Sequence, residues 1–568
     1  MKKYPLNKVQ YYTRFRDMIE DLADKYGESP AISWFTRKQE EQGVTYRQLR
    51  DDVRHLAEKI IQMGLAGKHL AVVGENCYEW LVVYFAANYC GSVAVCIDIE
   101  QPDETILQML TMADVEAIFT APAYVEICSK YVEGTGQAAG EDPTGRADRG
   151  GCAGQMFLLF GKSGDIPTVK SLIEEGAIIR KEGRQDRQID QKVTPQDTAA
   201  IVFTSGTTNY SKPVMLSQIA ILTNASDALA NVKIGDRTFT SLPFYHTYGL
   251  TCSVLSMLIP GSHLYINGNL KTVMRDIQLA KPHTMLTVPL MLETIHSKIW
   301  LAAEQNGQTE GLKKLLWIRK MLFKLGYRKS GKRLDMIREK SMGTIKLIIC
   351  GGAHVSSEIT EEFYYMGVTV LQGYGITECA PLVSVNRNEA NRFDSVGLVT
   401  ANCEVKIEDG EILVRGKNVM KGYYKLPELT AEAMKGEWFC TGDVGHIDKD
   451  GFLYITGRKK NLIVFKNGKK VSPEKLEEKI KSVPLVKDVV VYGAASGVST
   501  DDVQLVASIY PDQERAEGMT SYEILENLQE EINVINNDLP LYQQIQMINI
   551  REQEFSKTAM QKIKRHLI

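Results

Sequence analysis

Thr204, Ser205, Gly206, Thr207 and Thr208, followed by a solitary Lys212, have the residue types needed to hold an anion. Small residues let backbone N–H groups approach a phosphate closely, hydroxyls add donors, and a lysine supplies a point charge. The run is not a Walker loop, because no Gly-Lys-Ser/Thr closes it. The same composition also suits a Ser/Thr-rich surface turn. A second candidate is Gly351-Gly352-Ala353, directly behind the apolar run Ile345–Cys350. Two glycines at a strand's end suit the close approach of backbone to a flat ring, and they suit a simple tight turn equally. His246 lies among Phe244, Tyr245 and Tyr248, where a lone histidine also fits as a packing residue.

These residues need rigid elements to position them. Ala199–Phe203 is short and wholly apolar, which predicts a buried strand emptying into the Thr204–Thr208 cluster. Upstream, Leu49, Val53, Leu56, Ala57, Ile60 and Ile61 recur at helical spacing, with Thr45 and Gln48 as a capping box. Strands are expected at Leu70–Val73, Val93–Ile97, Ala117–Phe119 and Gln155–Phe160, with a buried helix from Trp80. Strand alternating with helix predicts a parallel sheet covered on both faces. Gly134 to Gly154, rich in glycine and charge, reads as a disordered surface loop. A glycine-punctuated β region (Gly410–Tyr424, then Trp438–Tyr454) precedes a final strand–helix segment. The expected fold class is therefore α/β: a large domain of parallel-sheet layers with a β-rich subdomain at 1–457, and a small, mobile α+β domain at 458–568.

With 568 residues the chain exceeds what one core usually supports. Its net charge of −3 argues against a general nucleic-acid role. The ten cysteines are scattered singly without CxxC spacing, as reduced thiols are in a cytosolic protein. The N-terminus has no apolar stretch behind its lysines, and the apolar run Trp80–Ile97 is broken by Asn88, Gly91 and Ser92. A cytoplasmic location is expected. Between Lys313 and Leu334 lie nine basic residues and no acid, with apolar residues at roughly helical spacing. Such a segment fits peripheral contact with an anionic membrane, or a surface helix packed on a sheet.

The phosphate run, Leu242–Gly249, Gly351-Gly352-Ala353, Gln372-Gly373-Tyr374-Gly375-Ile376-Thr377-Glu378, Thr441-Gly442-Asp443, Gly457-Arg458, Lys466–Lys470 and Phe555–Arg565 occur in the order found in one family. From Val44 to the C-terminus the chain resembles the adenylate-forming superfamily, and most closely its long-chain fatty acid:CoA ligases. The resemblance implies ATP, Mg²⁺ and CoA as reaction partners of a fatty acid. It implies that Thr204, Ser205, Gly206, Thr207, Thr208 and Lys212 hold phosphates, that Gly352, Ala353 and Tyr374 take adenine, and that Thr377 meets the α-phosphate. Glu378, with Thr204, would hold the magnesium; a carboxylate suits a hard cation. Asp443 would accept the ribose hydroxyls, and Arg458 would reach the ribose or a phosphate. His246 would border the reacting carboxylate. Lys460 matches a hinge, Gly468 a pantetheine-tunnel loop, and Lys562 the lysine that reaches between the carboxylate and the α-phosphate.

The match is imperfect. Asn209, Ser211 and Pro213 replace the glycine, proline and second glycine usual in the phosphate loop, and Gln561 replaces a glycine before Lys562. Asn tolerates left-handed backbone angles, whereas Pro213 removes a donor. The segment 313–334 resembles the insertion before the adenine turn in long-chain enzymes, which points to a medium- or long-chain acid. Delivery to a carrier-protein pantetheine, or a degenerate nucleotide-binding homologue without turnover, are the competing readings.

Overall fold

The computed structural model describes residues 4–137, 155–183, 192–204, 211–327, 331–353, 355–465, 469–495, 503–557, 563 and 565. The chain divides into two compact units, 1–404 with 414–439, and 405–413 with 440–568.

In the first unit, one sheet carries the strand that feeds the phosphate run. Its order is Gly422–Tyr423, Lys212–Ser217, Thr198–Thr204, Val93–Cys96, His69–Val73, Ala117–Thr120, Gln155–Leu158. The last five are parallel. Lys212–Ser217 folds back antiparallel on Thr198–Thr204, bringing Thr204 opposite Lys212. The helix Tyr78–Tyr89 is buried at every residue but Glu79. An all-round apolar helix of 12 residues is a core element, too short to span a bilayer. The helix Tyr46–Gln62 starts where its apolar spacing predicts, with the Thr45 hydroxyl accepting from the Gln48 N–H.

A second sheet of the same unit runs Leu398–Val399, Leu382–Val385, Thr369–Gly375, Leu347–Cys350, Thr284–Thr287, Arg237–Thr240, His263–Ile266, Pro30–Phe35, Glu41–Thr45. Its interior from Thr369–Gly375 to Pro30–Phe35 is parallel. Both sheets thus present strand carboxyl ends, where ligands bind in α/β folds, at Thr204 and at Cys350-Gly351.

The second unit is α+β. Strands Val486–Ala495 and Val503–Pro511 pair antiparallel, Met547–Ile550 lies parallel to the latter, and helices Pro473–Lys481 and Ser521–Asn537 contribute Leu476, Ile480, Leu528 and Ile532 to one core. These elements match the expected fold class of α/β layers followed by a separate small domain.

The Gly134–Gly154 reading needs correction at its start. Gly134–Gln137 continue the helix Val125–Gln137, because a single turn of weak helix formers is carried by the buried Ile127, Cys128 and Tyr131 ahead of it. Residues 138–154 lie outside the described residues.

Helices Tyr46–Gln62 and Val169–Glu182 meet at Gly176, where an added Cβ would stand 1.8 Å from the His55 carbonyl oxygen. The helices can approach this closely only because no side chain is there. Gly176→Ala is therefore expected to destabilise the first unit by about 1–3 kcal/mol, seen as a lower midpoint in thermal unfolding; an unchanged midpoint would mean the helices separate freely.

Candidate functional site

Thr204 ends one strand and Lys212 begins the next, so the hairpin register sets both ends of the phosphate run. Ser205, Gly206, Thr207, Thr208 and Asn209 lie outside the described residues. Pro213 sits in the strand facing Phe203, and its carbonyl accepts from the Tyr424 N–H at 2.8 Å. A proline is tolerated there because its acceptor still serves the neighbouring segment.

That neighbouring segment, Met420–Tyr424, was not singled out from the sequence. It ties the hairpin to the carboxylate at Glu378. Lys421 N–H donates to the Met215 carbonyl at 2.9 Å, and Met420 N–H to the Glu378 carbonyl at 2.8 Å. The Tyr423 hydroxyl then donates to Glu378 Oε1 at 2.9 Å. Lys212 Nζ stands 5.0 Å from the centroid of the Tyr423 ring, a cation–π distance. Burial, reinforced by the Glu378 charge, pushes the Tyr423 phenol far above its ordinary range. It therefore stays protonated and remains a donor. Gly422, just before it, has φ +140 and faces Thr430 too closely for a side chain.

Tyr374 lies at the end of the strand Thr369–Gly375, and Thr377 and Glu378 lie in the single turn that follows it. Gly351, Gly352 and Ala353 follow the adjacent strand Leu347–Cys350. Gly352 has φ +90, a left-handed conformation that favours glycine. A Cβ on Gly351 would meet the Tyr248 ring at 3.3 Å and the Gly373 carbonyl oxygen at 3.5 Å. Tyr248 is a second residue the sequence reading did not assign. It opens the π-helix Tyr248–Leu255, a rare element that often marks functional sites. Its hydroxyl reaches the carbonyls of Ile349 at 3.0 Å and Thr287 at 3.2 Å, joining two strand ends beneath the glycine turn. His246 precedes that helix, its ring 4.9 Å from the Tyr245 ring. The first unit thus brings the Thr204–Lys212 hairpin, Tyr423 and Glu378 into one linked group, and the glycine turn, Tyr248 and Tyr374 onto neighbouring strand ends.

In the second unit, Asp443 and Arg458 face each other across a hairpin. Arg458 Nε donates to Asp443 Oδ1 at 2.5 Å, and Asp443 is buried. Lys460 lies in the turn Lys459–Asn461. Gly468 and Lys562 lie outside the described residues, but the flanks of Lys562 are anchored. Lys557 pairs with Asp488 at 2.6 Å, Lys557 and Ile563 form a β-bridge, and Arg565 pairs with Glu477. Burial pushes the Glu477 carboxyl up to about 7 against the opposing pull of Arg565.

The donor set fits magnesium that arrives with phosphates. Among the described residues no three His, Cys, Asp or Glu side chains cluster as a metal cage. A single carboxylate such as Glu378 suits a cation that keeps waters and phosphate oxygens as its other ligands. At the glycine turn, Gly352 needs its left-handed φ and a Cβ on Gly351 would press on the Tyr248 ring.

Comparison with known proteins identifies the family and the fold. The AMP-binding enzyme family matches residues 19–424, and the C-terminal domain of AMP-binding enzymes matches 460–568. The chain belongs to the AMP-binding, adenylate-forming enzymes. It is 26% identical over 484 residues to the long-chain-fatty-acid–CoA ligase FadD15 of Mycobacterium bovis, covering 80% of this chain and 75% of that protein. Its fold is similar to that of the anthranilate CoA ligase AuaEII in complex with anthranoyl-AMP (TM-score 0.76, 17% identity, 100% of this chain and 98% of that one). It is also similar to o-succinylbenzoate CoA synthetase from Bacillus subtilis in complex with ATP and magnesium ion (TM-score 0.70, 20% identity, 96% and 98%).

The Tyr248 hydroxyl is the element of this site whose removal is cleanest to read. Tyr248→Phe removes the one proton shared between the Ile349 and Thr287 carbonyls, of which Thr287 keeps the Gly351 N–H, and is expected to cost about 1 kcal/mol, measured as a lowered thermal midpoint. Wild-type stability in that variant would mean the strand ends are held without it.

Proposed function

We propose that this chain is an AMP-forming acid–CoA ligase that activates a medium- or long-chain fatty acid. The observation that carries the reading is the linked group of Lys212, Tyr423 and Glu378, beside strand ends shaped for a nucleotide. The fatty acid is supported by the likeness to the FadD15 ligase and by the basic, apolar segment 313–334.

A carboxylate is a poor acyl donor because its leaving group would be oxide. In the first half-reaction its oxygen attacks the α-phosphorus of ATP and pyrophosphate leaves in line, giving acyl-AMP. In the second, the CoA thiol attacks the acyl carbonyl and AMP leaves. The protein's work is positioning and charge neutralisation. On this reading Thr204 to Thr208 and Lys212 hold the phosphates, and Gly352, Ala353 and Tyr374 hold adenine. Thr377 contacts the α-phosphate, His246 borders the acid, and Asp443 with Arg458 takes the ribose. Glu378, with Thr204, would hold magnesium, which when bound neutralises phosphate oxygens. Lys562 serves adenylation and Gly468 lines the path of the CoA arm, so one small domain presents each in turn. We assign the hinge to Lys460 and the domain boundary to 458–460; the start of the C-terminal family match at 460 supports this. Free cysteines throughout the described residues and the use of ATP support a cytoplasmic site of action.

Pyrophosphate release from MgATP, measured across saturated acids of increasing length with and without CoA, tests the function. Release that needs a fatty acid and accelerates with CoA is expected, and Lys562→Ala should lose it while still binding ATP. A single burst unaffected by CoA would indicate a carrier-protein acceptor, and no release with any fatty acid would overturn the reading.

The Tyr423 bond gives a separate test that does not depend on the acid. Tyr423→Phe keeps the ring beside Lys212 and removes the donor to Glu378. The Mg²⁺ concentration needed for half-maximal thermal stabilisation by ATP is expected to rise about tenfold, the worth of one hydrogen bond to a charged group at the lower end. An unchanged magnesium dependence would contradict the role given to Glu378.

A further inference from the structure

Asp443 stands just after an interruption in a long strand of the second unit. Trp438–Ile447 is ten residues of extended chain, and Gly442 within it takes φ +69. A Cβ on Gly442 would meet nothing within 4 Å, so the backbone angle, not crowding, calls for glycine there. Pairing with Leu453–Arg458 shifts register a little further on, between Val444 and Gly445. Irregularities of this kind turn the side chains beside them. Arg458 grips the Asp443 carboxylate from one side, through Nε and Nη2. The backbone that carries the carboxylate is fixed from another.

Two residues of the neighbouring strand Glu411–Gly416 do the fixing. The Thr441 hydroxyl donates to the Ile412 carbonyl at 2.7 Å and accepts from the Asp443 N–H at 3.0 Å. Glu411 Oε1 accepts from the Gly442 N–H at 3.0 Å, and its Oε2 accepts from Lys459 Nζ at 2.7 Å. All three residues of the Thr441-Gly442-Asp443 turn are thus tied, directly or through a hydroxyl, to Glu411 and Ile412. The two partners of Glu411 are unequal. The Lys459 side chain is 65% exposed and that of Glu411 12%, so water can replace the lysine, and a mostly exposed ion pair is worth little. The Gly442 N–H has a fixed direction, and it directly precedes the aspartate.

We infer that Glu411 is a positioning residue for recognition of the nucleotide sugar: its bond to the Gly442 N–H holds the turn in the shape that presents the Asp443 carboxylate to the ribose hydroxyls. The inference rests on the ribose role proposed for Asp443 and deepens it. Glu411 acts through the aspartate and makes no bond to the nucleotide. Losing its acceptor lets the left-handed turn relax and moves the carboxylate away from the sugar. Contacts to the base and the phosphates come from the first unit and stay as they are. The signature of Glu411 is therefore discrimination between ribose and deoxyribose, separate from overall affinity.

The test is calorimetric titration of the full chain with the magnesium complexes of ATP, 2′-deoxy-ATP and 3′-deoxy-ATP, with no acid present so that nothing turns over. The wild type is expected to prefer ATP to each analogue by about tenfold, the worth of one hydrogen bond to a charged group at the lower end. Glu411→Ala should bring that preference to about threefold or less while its affinity for the deoxy analogues stays within about twofold of wild type. Glu411→Gln keeps an oxygen for the Gly442 N–H and should retain the preference, which separates this bond from the charge pair with Lys459. If the alanine variant does not fold, Glu411→Asp, one methylene shorter with its charge kept, should show the same loss. A general loosening of the domain weakens all three nucleotides together and leaves the ratio where it was. An unchanged ratio in the folded alanine or aspartate variant, or a glutamine variant as impaired as alanine, would overturn the inference. A wild type that binds all three nucleotides alike, or a preference that survives Asp443→Ala, would overturn the ribose reading of Asp443 and this inference with it.

Discussion

A carboxylate that is to receive a cation must be held still without being neutralised by a cation of the protein's own. Glu378, the carboxylate we propose for magnesium, meets this constraint through a neutral donor, the Tyr423 phenol. Burial and the nearby negative charge both oppose ionisation of that phenol, which keeps it a donor. Lys212, the cation of the phosphate run, stands beside the same aromatic ring. One tyrosine thus contacts both a positive and a negative group of the proposed site.

The backbone makes this arrangement specific. Met420–Tyr424 must satisfy its N–H groups, and it does so on the Glu378 carbonyl, the hairpin strand at Met215 and Pro213, and the Thr430 hydroxyl. One short segment therefore fixes the distance between two parts of the site that lie about 170 residues apart in the chain. Beneath the glycine turn Tyr248 does comparable work, joining strands through their terminal carbonyls. In both places a tyrosine hydroxyl supplies the cross-link, and a glycine provides the clearance.

Much of the fold was legible because its signals are local. Apolar runs such as Ala199–Phe203 and Ile345–Cys350 mark buried strands whatever surrounds them, and Thr45 before a 3.6-residue pattern marks a helix start. Ordered motifs carried the family as well. Tyr423 and Tyr248 were not legible as site residues, because a tyrosine among aromatics has no distinguishing neighbour in sequence and its partners come from distant strands. The reach of the helix to Gln137 was missed for the opposite reason: composition at Gly134–Gln137 reads as loop, but the buried turns before it extend the helix. The 313–334 segment was read as either membrane-facing or packed, and the helix within it is packed on one face and exposed on the other.

The central claim is that this site forms a tightly held acyl-adenylate by reversible attack on ATP. Exchange of labelled pyrophosphate into ATP, in the absence of CoA, measures that step directly. Exchange that requires both magnesium and a fatty acid, and that disappears in Glu378→Gln while the variant stays folded, is the predicted result. Exchange that proceeds equally without an acid, or its absence across all fatty acids with a folded wild-type protein, would contradict the account.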